Sequence, residues 1–122
     1  VPANARQILG RLGEQLALAH YERLGFRLLE RNFSTAAGEI DLVVCDGETI
    51  VFAEIKTRQA GGLDPLLAIT ADKRRRMRAL AARWLAERPR RPRTPALRID
   101  AVAVIVDACG ELVSLEQIED VA

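Results

Sequence analysis

Cysteine, histidine, lysine and aromatic residues are all scarce in this chain. Its two cysteines, Cys45 and Cys109, each sit beside turn-like sequence and provide neither a disulfide framework nor a zinc site. A reducing, cytoplasmic setting is therefore expected. Three Phe, one Tyr and one Trp leave no base-stacking motif, so no sequence preference toward a nucleic acid can be read. The single histidine, His20, falls near the middle of a helical apolar stripe, where a packed residue is expected rather than a ligand or base. No apolar run is long enough to span a bilayer and no secretory signal pattern stands out, so no membrane partner is expected. A small-molecule cofactor is not expected either. Lysine is the most telling shortage. Sixteen of the eighteen basic residues are arginine, which leaves only Lys56 and Lys73. A chain so biased toward arginine is expected to keep lysine where a compact ammonium on a flexible stem is wanted.

What is present begins with bulk. At 122 residues and 49% apolar content the chain reads as one domain, residues 1–122, with a core that needs no covalent staple. Net charge is only +1, but residues 73–93 hold ten of the basic residues and one acid, Glu87. That stretch carries +9 against −8 for the remainder. A block of this kind suggests contact with phosphates, although a solvated helix face has the same composition.

The periodicities give an order. A helix is predicted from residue 4 to about 24, with Leu9, Leu12, Gly13, Leu16, Ala17 and Leu24 on its buried stripe and Glu14 at the border. Phe26 to Phe33 reads as a first strand. Two further strands, about 38–45 and 48–57, flank Asp46-Gly47. Arg58 to Leu67, with Gly61-Gly62 and Asp64-Pro65, reads as a mobile loop. Thr70 is placed to cap a second helix running to about residue 87, with Lys73, Met77, Leu80, Ala81, Trp84 and Leu85 inward. Arg74, Arg75 and Arg78 then point away. Pro89, Pro92 and Pro95, interleaved with arginines, form a stiff basic connector. Leu97 to Val106 reads as a long buried strand carrying Arg98 and Asp100, which an intrastrand ion pair would explain. Leu112 to Leu115 is a short last strand, followed by a single helical turn. The fold class is α/β, a central mixed sheet flanked by helices.

The hairpin carries the chemistry. With Asp46-Gly47 as a two-residue turn, Cys45 faces Glu48, Val43 faces Ile50, Asp41 faces Phe52 and Glu39 faces Glu54. Glu39, Asp41, Phe52, Glu54 and Lys56 then share one face, and Ile40, Leu42, Val51, Ala53 and Ile55 share the other. Asp41 and Glu54 become diagonal neighbours, roughly 7–8 Å apart at the backbone, a span across which carboxylates can share one ion. Glu39 opposite Glu54 is a like-charge pair that asks for a cation. Phe52 on the same face asks for a cover, so the acids are expected in a cleft. A sheet with one wet face would show the same alternation.

These residues also carry a resemblance. Gly10-Arg11-Leu12-Gly13-Glu14, Arg31-Asn32-Phe33, Gly38-Glu39-Ile40-Asp41-Leu42, Phe52-Ala53-Glu54-Ile55-Lys56-Thr57-Arg58, Lys73-Arg74-Arg75-Arg76 and Arg98-Ile99-Asp100 resemble the YraN family of small bacterial proteins. That family is placed in the Holliday-junction-resolvase-like branch of the restriction-endonuclease-like superfamily. Ser34 and Leu67 depart from the pattern, where arginine and glutamate are usual. The resemblance implies an αβββαβ nuclease core. It implies a Mg²⁺- or Mn²⁺-dependent endodeoxyribonuclease acting on branched or structured DNA, with Asp41, Glu54 and Lys56 as catalytic residues. Metal ligands would be Asp41, Glu54, the Ile55 carbonyl and, as an accessory carboxylate, Glu14. Lys73, Arg74, Arg75, Arg78, Arg58 and Arg31 would hold phosphates, and a two-fold junction would suit a homodimer. The alternative is a non-catalytic nucleic-acid-binding module with a nuclease fold, serving a DNA-processing assembly.

Overall fold

The computed structural model of the chain describes residues 5–61 and 70–121. Helix α1 (Ala5–Arg23) is followed by strands β1 (Arg27–Thr35), β2 (Gly38–Cys45) and β3 (Thr49–Gln59). Helix α2 (Ala71–Glu87) and strands β4 (Ala96–Val106) and β5 (Leu112–Ile118) complete the order. The five strands lie in sequence order in one mixed sheet, antiparallel except between β3 and β4. This α/β arrangement is compatible with the αβββαβ core of restriction-endonuclease-like proteins, with β5 added at one edge. Most of the expected Arg58–Leu67 loop falls within residues 62–69, which lie outside the described residues.

Each sheet face has its own core, as a strand apolar on both sides requires. On one face Ala17, Leu18 and Tyr21 of α1 cover Leu42, Val44, Val51, Ala53, Val102 and Val104. On the other Met77, Leu80, Ala81 and Trp84 of α2 cover Phe33, Ile40, Val43, Phe52 and Ile99. Trp84 meets Phe52 edge-on at 5.5 Å, which is the cover that Phe52 demands. Thr70 caps α2 by accepting the Lys73 amide at 3.1 Å. Part of the basic run is structural. The Arg88 guanidinium lies over Phe33 and Trp84 and forms a two-pronged bond to Glu30 at 2.9 and 3.0 Å, while Arg91 caps the carbonyl of Leu85.

Four expectations need correction. Leu24 is exposed, and Leu18 and Tyr21 are the buried residues of the last turns of α1, because Gly25 turns the chain back over the helix end through Phe26 N–H to Tyr21 O. The tail continues as strand to Ile118 where one helical turn was expected. The hairpin register differs as well. Asp46 accepts the amides of Glu48 and Thr49 on its own side chain at 2.9 and 2.8 Å, which moves the reversal to Gly47-Glu48. Val43 thus faces Phe52 and Cys45 faces Ile50. A two-residue shift keeps every β3 side chain on its face. Finally, Ile40 packs under α2 while Leu42 packs under α1, so β2 does not alternate strictly around Asp41.

One contact sets how closely α1 approaches the sheet. A Cβ on Gly13 would overlap Thr57 Oγ1 on β3. Gly13→Ala is expected to cost about 1–3 kcal/mol through overpacking, read by urea denaturation. Thr57→Ser should not rescue it, since the hydroxyl remains, and Thr57→Ala should rescue it only in part, since the Thr57 Cβ would still lie 2.8 Å away.

Candidate active site: acids and lysines where the strands part

The ladder between β2 and β3 is regular from Cys45↔Ile50 to Leu42↔Ala53. One step further would bring Asp41 level with Glu54. There the side chain of Asp41 accepts the Ile55 amide at 2.7 Å. The strands part, and a cleft of about 300 Å³ opens between β2, β3 and α2. Glu39, Asp41, Glu54, Lys56, Lys73 and Arg76 line it, with the Ile55 backbone alongside.

Glu54 is buried, and its Oε1 carries two cations, Lys73 Nζ at 2.7 Å and Lys56 Nζ at 3.5 Å. Its Oε2 is buried with no hydrogen-bond partner. An orphaned buried carboxylate oxygen is costly in a finished core and fits a site built to hold something more. Burial and the neighbouring Lys73 ammonium hold Lys56 below the usual lysine range. Burial acts most strongly on Lys73 too, but its bonds to Glu54 and Lys56 and the charges of Glu54 and Asp41 together outweigh it and raise it. Of the two, Lys56 is the easier to deprotonate, so it is the better candidate to orient or relieve a water of a proton.

Asp41 is pushed up to about 7 by burial, against the Ile55 amide bond, with the charges of Glu14 and Glu54 and a bond to Glu39 adding to the rise. Glu14 reaches it from α1, across the point where Gly13 meets Thr57. Burial and then the Glu39 charge raise Glu14, while Asn32, Arg31 and Arg11 act the other way. A carboxyl raised on folding keeps its proton longer in the folded state. Its ionisation therefore withdraws stability as pH climbs from about 4 through about 7. Asp41→Asn is expected to be more stable than the natural chain at pH 7.5 without divalent ions, on the order of 2 kcal/mol, and no more stable at pH 4. Thermal melts at both pH values read this.

The structure brings Asp41, Glu54, Lys56, Ile55, Glu14 and Lys73 together. Arg31 stands near Glu14, and Arg58 lines the neighbouring cleft beside Glu14 and Lys56. Arg74, Arg75 and Arg78 lie exposed on α2, with Arg75 paired to Asp72. Glu39 is not opposite Glu54. It pairs with Ser34 of β1, accepts that residue's hydroxyl at 2.8 Å and turns toward Glu14 and Asp41.

Two residues of the quoted motifs stand beside the acids where no place at the cleft was expected for them. Arg76 lines the cleft and packs against Gly38; its spacing of three from Lys73 puts it on the same helix face. Asn32 stands between Arg31↔Leu42 and Phe33↔Ile40, hence level with Asp41, and holds φ +56°. An asparagine inside a strand is itself a signal, because asparagine is depleted in strands and tolerates the left-handed region.

Donors that are all oxygen suit a hard divalent cation, and the orphaned Glu54 oxygen agrees with that fit. Among the described residues no helix is long and apolar enough to cross a membrane. Comparison with known proteins places the chain in a family. Residues 13–104 match the family described as "Uncharacterised protein family UPF0102". A UPF0102 protein of Pseudarthrobacter chlorophenolicus is 42% identical over 97% of this chain and 88% of its own length. One from Streptomyces griseus is 44% identical over 88% and 90%, and one from Geobacter metallireducens 40% over 90% and 88%. With Glu14, Asp41, Glu54, Lys56 and Lys73 all inside the matched span, the chain belongs to family UPF0102, the YraN family.

Proposed function

We propose that this chain is a Mg²⁺- or Mn²⁺-dependent endonuclease that cuts phosphodiester bonds in branched or structured DNA. The observation that carries this reading is one cleft holding Asp41 and Glu54 with two lysines on a half-used buried carboxylate. Asp41, Glu54, the Ile55 carbonyl and Glu14 would hold the ion. A bound divalent ion supplies Lewis acidity and lowers the pKa of water. Lys56 orients the attacking water, and its depressed pKa lets it hold or release the proton. Lys73 leaves Glu54 for the phosphate and steadies the charge that grows there. Arg74, Arg75, Arg78, Arg58 and Arg31 take flanking phosphates, and two copies would serve a two-fold junction.

Labelled linear, flapped and four-way DNAs incubated with Mg²⁺ or Mn²⁺ test this. Cleavage of branched forms, abolished by chelation, is expected. DNA binding without cleavage on any substrate would favour the second reading, a nucleic-acid-binding module with a nuclease fold. Lys73 on Glu54 at 2.7 Å is what favours that module, since it neutralises the acid without a metal. Under either reading four helix cations on phosphates should give a slope of about −3 to −4 in log K against log salt on duplex, measured by fluorescence anisotropy. Reversing Arg74, Arg75 and Arg78 to glutamate should flatten it.

A further inference from the structure

The acids around the cleft are not equivalent. Glu54 already has Lys73 and Lys56 on one oxygen. Glu14, Glu39 and Asp41 converge so that one carboxylate oxygen of each lies within 4.8 Å of the others. Among the described residues no lysine or arginine forms an ion pair with any of these three. Arg11 and Arg31 act on Glu14 only from beyond ion-pair distance. Once ionised, three acids packed together without a counter-ion repel one another, so a built arrangement of this kind calls for a cation. Glu39 is also oriented. Ser34 donates to its Oε2, which restrains the carboxylate at the lip of the cleft. A second observation points to a ligand: Glu54, a residue only 9% exposed, lines the same cleft as Glu39 and Asp41 and has a buried Oε2 without a partner.

We propose that Glu39 is a metal ligand, and that a divalent cation seats among Glu14, Glu39 and Asp41, beside Glu54 and its lysines. This deepens the nuclease reading and rests on it for the identity of the ion. Oxygen donors alone, all carboxylate, select Mg²⁺, Mn²⁺ or Ca²⁺ over softer metals.

The test uses the full chain with MnCl₂ as probe. Calorimetric titration and thermal melting, with and without Mn²⁺, are run on the natural chain, Glu39→Gln and Glu39→Asp. Outer-shell partners of a metal ligand already change affinity by 10–100-fold, so a direct ligand should do at least as much. Glu39→Gln is expected to bind Mn²⁺ at least about tenfold more weakly. Its melting temperature without ion should be unchanged or higher, because a repulsive charge has gone. Glu39→Asp should recover part of the affinity. Mn²⁺ binding by Glu39→Gln within twofold of the natural chain would overturn the assignment and leave the nuclease reading standing. Loss of ion-free stability in Glu39→Gln, with Glu39→Asp no better at binding, would make Glu39 a structural residue and overturn it too. Failure of the natural chain to bind Mn²⁺ would overturn both.

Discussion

Glu54→Gln is expected to reduce metal-dependent cleavage of a four-way DNA by about a thousandfold or more, a barrier increase of roughly 4 kcal/mol. The substitution keeps the shape of the side chain and removes its charge. It takes away a carboxylate expected to hold the ion and the anchor that places both lysines. Lys56, already depressed by burial and by Lys73, would fall further without the favourable Glu54 charge. Some stability should be lost as well, because Lys56 and Lys73 lose the charge that holds them side by side, although the second oxygen of Glu54 has no partner to lose. Single-turnover cleavage beside a thermal melt separates the two effects. Lys56→Ala should abolish cutting too. Lys73→Ala should weaken phosphate binding and cutting together, as it is the nearer cation to Glu54. Cleavage by Glu54→Gln within tenfold of the natural chain would remove Glu54 from the catalytic set.

Asp100→Ala should have the largest effect on stability, about 3–5 kcal/mol. Asp100 is fully buried and satisfied on every side. Arg98 holds it with two bonds at 2.9 and 3.0 Å; Tyr21 donates at 2.8 Å, Gln117 at 2.9 Å and the Asp120 amide at 3.1 Å. Arg98 also reaches Glu119, and Gln117 contacts His20. The network thus ties the last helical turns of α1, β4, β5 and the tail together. Alanine leaves a half-buried guanidinium, a buried phenol and a backbone amide without partners, which costs more than the original pairing gained. With a total stability of about 5–15 kcal/mol for a domain of this size, the loss should appear as a fall in melting temperature on the order of 10–20 °C. Asp100→Asn should lose less, since it keeps an acceptor. A change below about 1 kcal/mol in Asp100→Ala would mean that the network only decorates the core.

Much of this molecule could be read along the chain. Strands β2, β3 and β4 followed from alternation and from runs buried on both sides, and α2 from its Thr70 cap and inward stripe. Lys73 was placed toward the sheet by its spacing of four from Met77, and Arg98 with Asp100 as a pair by their shared strand face. His20 is the intermediate case: it is half-buried, and its ring meets Gln117 at 2.7 Å as well as packing edge-on against Tyr21. All of these depend on near neighbours, whose preferences the local backbone sets.

The sequence by itself determined the αβββαβ order, the apolar faces, the family motifs and which acids and lysines stand at the end of the central hairpin. Tertiary structure alone decided which of them touch. Asp46 bonding its own turn set the register, the close approach at Gly13 brought Glu14 to Asp41, and α2 laid Lys73 on Glu54. Asn32 and Glu39 gained their neighbours only when β1 was paired. The reason is physical: spacing and propensity act over a few residues, whereas the distance between two side chains on different elements depends on how those elements pack.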